Sequence, residues 1–279
     1  MPTALAAISD PAVRAAFREW LLRVADDELT IGHRHSEWTG VGPDIESDVA
    51  MSSIAQEELG HARLFYEQIA GDEPGGPDRL AFGRAPEEYH NAVLLEQPNG
   101  GWEFTIVRLA LYEAFEQQRL GLLARSGQEP VAGLAATLGR EERYHALFAA
   151  AWLERLARPP APPAGTTGRG APGLPDAVSA TAHARVQAAL EAAWPHALAF
   201  FESTEADDAL LRAGLLGDPP ARQRETWERT VRAILEPLGL TIPTGTAAPG
   251  GRRGVHTADL MRMHAEMTEV WRSDPEARW

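Results

Sequence analysis

The strings Gln56-Glu57-Glu58-Leu59-Gly60-His61 and Arg140-Glu141-Glu142-Arg143-Tyr144-His145 repeat a Glu-x-x-His pattern within one chain. Residues three apart share a helix face, so each copy aims a carboxylate and an imidazole the same way. Two such helices are half of what a four-helix bundle needs to hold a pair of metal ions. The other half is one carboxylate from each of two further helices. Spacing supplies both: Glu28 lies 30 residues before Glu58, and Glu113 lies 29 before Glu142. In an antiparallel helix pair, two residues share a level when the turn falls midway between them. The first midpoint is Pro43, in Gly40-Val41-Gly42-Pro43, and the second falls in Ser126-Gly127-Gln128-Glu129-Pro130. Both strings are turn signals. The spacing predicts that Glu28, Glu58, His61, Glu113, Glu142 and His145 converge at one depth of a helical bundle.

Their neighbours are apolar. Leu21, Val24 and Ile31 share a helical face with Glu28, while Ile54 and Phe65 flank Glu58 and His61. Ile106, Leu109 and Leu120 accompany Glu113, as Leu138 accompanies Glu142. Four carboxylates on buried stripes repel strongly unless cations lie between them. A pair of iron or manganese ions is expected between them, since both accept carboxylate and imidazole. No catalytic residue beyond these ligands is expected. Glu57 and Glu141, adjacent to the ligands, are candidates for orienting the imidazoles, the alternative being exposed acids near helix starts. Glu116 is either a supporting acid, an alternative ligand or an exposed residue. At the end of the first helix, His33, His35 and Glu37 form a competing cluster. Paired with Glu58, Glu37 has its midpoint near residue 47, inside the second helix, which ranks it behind Glu28. The two histidines are read as imidazoles interacting with a helix dipole.

A chain of 279 residues with 44% apolar content can fill one large core or two small ones. Its formal charge of −14 argues against nucleic acid and anionic membrane surfaces, which call for basic patches. With no cysteine there is no disulfide, thiolate zinc site or iron–sulfur cluster on this chain. No segment reaches the roughly 18 apolar residues of a membrane span, and the start has no signal-peptide pattern, so a cytoplasmic protein is expected.

Helical periodicity covers residues 11 to 38, 44 to 70, 102 to 125 and 130 to 157, and no stretch alternates like a strand. The class is therefore all-α. A long connection from Asp72 to Gly101 has the length needed to cross from one end of a bundle to the other. The expected organisation is a four-helix bundle over 1–157, a Pro/Gly-rich linker over 158–174, and a helical extension over 175–279 packed on the bundle. Within the extension, 175 to 202 reads as a fifth helix kinked at Pro195, 219 to 237 as a sixth and 257 to 273 as a seventh. Gly250-Gly251-Arg252-Arg253-Gly254 is a small basic island, read as a solvated loop, with a phosphate or carboxylate contact as the alternative.

Nearly end to end, the chain resembles the ferritin-like subunits of the multicomponent phenylacetyl-CoA epoxidase, the ring-oxidising complex of phenylacetate catabolism. The resemblance is carried by Glu37-Trp38 with Gly40, Ile54-Ala55 leading to Leu59-Gly60 and Ala62-Arg63, and Leu95-Glu96-Gln97-Pro98-Asn99-Gly100. Thr105-Ile106 with Arg108, Arg143-Tyr144-His145, Trp152-Leu153-Glu154-Arg155-Leu156 and Gly254-Val255-His256-Thr257 extend it. It implies a ferritin-like fold and a di-iron monooxygenase component acting on an aryl-CoA thioester. It also implies association with a related ferritin-like subunit, in a homo- or hetero-oligomer. Electrons would come from a reductase partner, because the chain has neither cysteine nor a flavin motif. Within the family the likeness is greatest to the smaller, structural subunit, which has lost metal ligands; this chain departs from it in carrying all six. Similarity to the catalytic subunit makes Glu37, in His35-Ser36-Glu37, a ligand motif as well, so Glu28 and Glu37 both stand as first-helix candidates. Two readings of other classes are a non-catalytic scaffold subunit and a metal-handling or peroxide-destroying bundle.

Overall fold

The computed structural model describes residues 3–71, 73, 75–158 and 176–274. The first half is built from α1 (Pro11–Ser36), α2 (Ile45–Ala70), two short helices α3 (Gly76–Phe82) and α4 (Val93–Glu96), then α5 (Trp102–Ala124) and α6 (Val131–Ala157). The second half contains α7 (Asp176–Leu198), α8 (Glu205–Arg212), α9 (Pro220–Leu235), α10 (Ala258–Met267) and α11 (Glu269–Ser273). No strand occurs among the described residues, so the expected all-α class is the one observed.

The turns expected at the two midpoints set the bundle. α1 opens on Asp10, whose carboxylate accepts the Ala12 and Val13 amides while Pro11 occupies the first helical position. It closes at Ser36. Asp44 then caps α2 by accepting the Ser47 amide at 2.8 Å, and Asp48 takes the Gly42 amide at 2.9 Å, which folds the connection back on itself. α1 lies along α2, and α5 lies along α6. Phe17, Leu21, Phe65, Tyr66 and Leu80 belong to one apolar core. A second contains Ile106, Tyr112, Leu153, Leu190, Trp194 and Trp227, so α7 and α9 share their interior with α5 and α6. Trp227, fully buried, donates its indole N–H to the Leu111 carbonyl at 3.0 Å.

Several elements differ from the sequence expectation. The connection between α2 and α5 contains α3 and α4, and α8 is a separate helix started by Thr204 and Asp207 capping each other's backbone amides. Pro195 sits in the last turn of α7, which passes at Leu198 into a 3-10 turn over Ala199–Phe201. The Pro/Gly-rich string from Pro159 to Gly173 lies outside the described residues. The basic island is only partly solvated: Arg253 is exposed, but Arg252 is 2% exposed and makes the alternative carboxylate contact, pairing with Asp27 at 2.8 Å. Glycine makes this approach possible. A Cβ at Gly251 would collide with the Asn91 carbonyl, and one at Gly254, where φ is +73°, with the Glu87 carbonyl.

Candidate metal centre

Each long helix of the bundle contributes to one buried cluster. Glu28 comes from α1, Glu58 and His61 from α2, Glu113 from α5, and Glu142 and His145 from α6; none is more than 3% exposed. Their inward atoms form two groups, Glu28 with His61 and Glu142, and Glu58 with Glu113 and His145, each lying within 4.8 Å of one another. The six residues singled out by spacing are thus brought together. Glu142 lies between the imidazoles, with Oε1 2.9 Å from His61 Nδ1 and Oε2 3.3 Å from His145 Nδ1.

The outer edge of each imidazole is held from the opposite helix. His61 Nε2 lies 2.8 Å from Glu141 Oε2 on α6, and His145 Nε2 lies 2.7 Å from Glu57 Oε2 on α2. The half-exposed carboxylates accept, so Nε2 carries the proton and Nδ1 faces inward. Burial works against a charged ring, but the Glu142 and Glu28 carboxylates beside it push His61 up to about 11. His145 is raised further still by Glu113 and Glu142, against the same burial. Burial would raise Glu142, yet the two imidazoliums hold it well below the usual carboxylate range. Glu113 is pushed well up by burial and by the Glu142 charge. Burial raises Glu58 strongly too, and the neighbouring Glu28 and Glu142 add to this against the pull of His145.

The donor set fits a pair of divalent cations. Glu28 Oε2, Glu58 Oε1, both oxygens of Glu113 and of Glu142, and Nδ1 of both histidines are buried without a hydrogen-bond partner. Orphaned atoms of this kind are costly in a folded protein. Here they are carboxylate oxygens and imidazole nitrogens turned towards one another, and four carboxylates balance the charge of two divalent ions. Binding an ion would require Nδ1 of each imidazole to be free of its proton.

Two residues weighed as alternative ligands lie elsewhere. Glu37 sits at the surface end of α1, paired with Arg34 at 2.6 Å and hydrogen-bonded by Asn99 at 3.0 Å, and belongs to neither donor group. The turn after Ser36 carries it away from the bundle interior. Glu116 is buried, pairs with Arg119 and belongs to neither donor group. Arg119 in turn donates to Tyr112 Oη at 3.1 Å, and Tyr112 donates to Glu28 Oε1 at 2.8 Å. His35 is where sequence reasoning missed. It is fully buried, with Nδ1 2.8 Å from Glu58 Oε2, rather than serving the helix dipole. The signal that could have found it was its position seven residues after Glu28, two turns along the same face.

The Glu-Gln-Pro-Asn-Gly string acts as a clamp beside this cluster. Arg34 donates Nε to the Glu96 carbonyl at 3.0 Å, and Arg108 donates to the Gln97 carbonyl at 2.7 Å, so the string ties the end of α1 to the start of α5. Burial and the neighbouring Arg34 push the Arg108 guanidinium down to about 9. The Glu96 carboxylate accepts the Thr257 amide at 2.6 Å and lies 2.7 Å from His256 Nδ1, joining this string to Gly254-Val255-His256-Thr257.

The match to the family described as phenylacetic acid catabolic protein runs over residues 6–161 and 177–279. The chain is 33% identical over 264 residues to one of the subunits of the 1,2-phenylacetyl-CoA epoxidase of Escherichia coli (strain K12), a match covering 93% of this chain and 98% of that one. Since both halves take part in the match, and the motif strings from each half interlock beside one buried ligand cluster, the chain belongs to the phenylacetic acid catabolic protein family.

Proposed function

We propose that this chain is the di-iron component of a phenylacetyl-CoA epoxidase-like system in aromatic catabolism, with Glu28, Glu58, His61, Glu113, Glu142 and His145 as the ligands. The observation that carries this reading is the set of eight inward oxygen and nitrogen atoms that face one another with no hydrogen-bond partner. When bound, a reduced iron pair supplies the two-electron chemistry by which O₂ is activated and one oxygen atom is added to an aromatic ring. The protein residues have separate tasks. Glu57 and Glu141 keep each imidazole turned inward through Nε2, and Tyr112 orients Glu28. The apolar walls of the bundle keep bulk water from the carboxylates. Electrons come from a reductase partner, because the chain has no cysteine. The assembly is completed by a related ferritin-like protein, and the substrate is an aryl-CoA thioester. No described helix is long and apolar enough to cross a membrane, in keeping with a cytoplasmic complex.

Anaerobic iron loading followed by metal analysis tests the reading. About two irons per chain are expected, with an absorption change on reoxygenation, and Glu58→Ala is expected to lower the stoichiometry. The near full-length likeness to one component of a multi-subunit epoxidase favours a second reading, a non-catalytic partner that docks a catalytic relative. Iron-free protein after careful loading would support that reading and end the first.

A further inference from the structure

The unpartnered donor atoms are divided unevenly among the four carboxylates. Glu113 and Glu142 have both oxygens free, whereas Glu28 and Glu58 have one each. The remaining oxygen of Glu28 accepts Tyr112 O–H, and that of Glu58 faces His35 Nδ1, both at 2.8 Å. The two helix pairs otherwise repeat one ligand pattern, so Glu58 and Glu142 would be equivalent if nothing else intervened. His35 breaks the equivalence. It stands seven residues after Glu28; the position seven residues after Glu113 is Leu120, a buried apolar residue that cannot tether a carboxylate. Glu142 therefore turns one oxygen to each histidine, while Glu58 is held to one side.

We propose that His35 is a positioning residue that withholds Oε2 of Glu58 from the metal pair, so that Glu58 binds through Oε1 alone, whereas Glu142, with one oxygen at each histidine, is free to span both ions. The inference rests on the dimetal reading given above. A ligating carboxylate has no proton to give, so the hydrogen between them belongs to Nδ1 of His35. His35 and Glu58 are both fully buried, so water does not compete for this contact. The other ring nitrogen, Nε2, is buried without a partner, which leaves Glu58 as the ring's anchor among the described residues. In this role His35 acts through Glu58.

The full chain loaded with manganese(II) tests this by crystallography and by electron paramagnetic resonance of the coupled pair. In the wild type, Glu58 Oε1 is expected on one ion, with Oε2 still on His35. His35→Leu is expected to keep two manganese ions per chain but to change the resonance spectrum as Glu58 comes to span both. His35→Asn, whose amide can donate from the Nδ1 position, is expected to restore the wild-type spectrum. A wild-type structure with both Glu58 oxygens on metal overturns the proposal, as does a His35→Leu spectrum identical to the wild type. Should His35→Leu fail to fold, the wild-type structure decides alone. Wild-type protein that takes up no metal overturns the dimetal reading and this proposal with it, whereas two bound ions spanned by Glu58 overturn only the proposal.

Discussion

Among the described residues, Glu142 is the carboxylate of the cluster whose two oxygens face both imidazoles. Glu142→Gln keeps the shape and removes the charge on which both donor groups depend, so ion uptake is expected to fall well below two per chain, as read by metal analysis after dialysis. Glu141→Gln is a milder change. The amide can still accept from His61 Nε2, but it makes the imidazole a poorer ligand, and metal affinity is expected to fall by about 10- to 100-fold in a competitive chelator titration. At this scale the sequence was informative wherever spacing carried the message: the positions of all six cluster residues follow from helical period and turn midpoints. It was silent where chemistry depended on a distant partner. Nothing near His35 announces Glu58, and nothing near Arg252 announces Asp27, because each contact depends on how elements separated in sequence pack.

Long helices were legible as elements because a period of 3.6 repeats many times in 23 to 27 residues. Short ones were not. α8 spans 8 residues, too few turns for a pattern, yet its Asp207 forms a buried ion pair with Arg23 of α1 at 3.0 Å. Removing one partner strands a buried charge, so Asp207→Ala is expected to cost about 3–5 kcal/mol in urea unfolding. Trp227 makes the same point for α9. It fills the interior shared with α5, and Trp227→Ala is expected to cost about 3–5 kcal/mol, with the Leu111 carbonyl left without its donor. Losses of this size, appearing in a single cooperative transition that includes the bundle, would identify the C-terminal helices as part of its core. A separate early transition would identify them as an independent unit.

Across the whole molecule, interlocked segments rather than net charge hold the parts together. His256 is a test of this. Burial alone would lower its pKa, but hydrogen bonds to Glu96 and to the Tyr89 carbonyl raise it above the ordinary 6.5. A group raised in the folded state adds stability that is fully present below 6.5 and lost as the pH rises through the folded value. The stability difference between wild type and His256→Gln is therefore expected to be largest in mildly acidic buffer and to shrink on the alkaline side, as measured by denaturant titration across pH. Charge composition indicated which partners to exclude, but it could not indicate this lock, which joins strings 160 residues apart. The Arg252 contact has a different consequence. Arg252 grips Asp27, the residue next to Glu28, from 225 positions further along the chain. Until that arginine leaves the ribosome, Asp27 is held by Arg119 and the Ala92 amide without it, so on the dimetal reading nascent fragments ending before the basic island are expected to bind metal more weakly than the full chain.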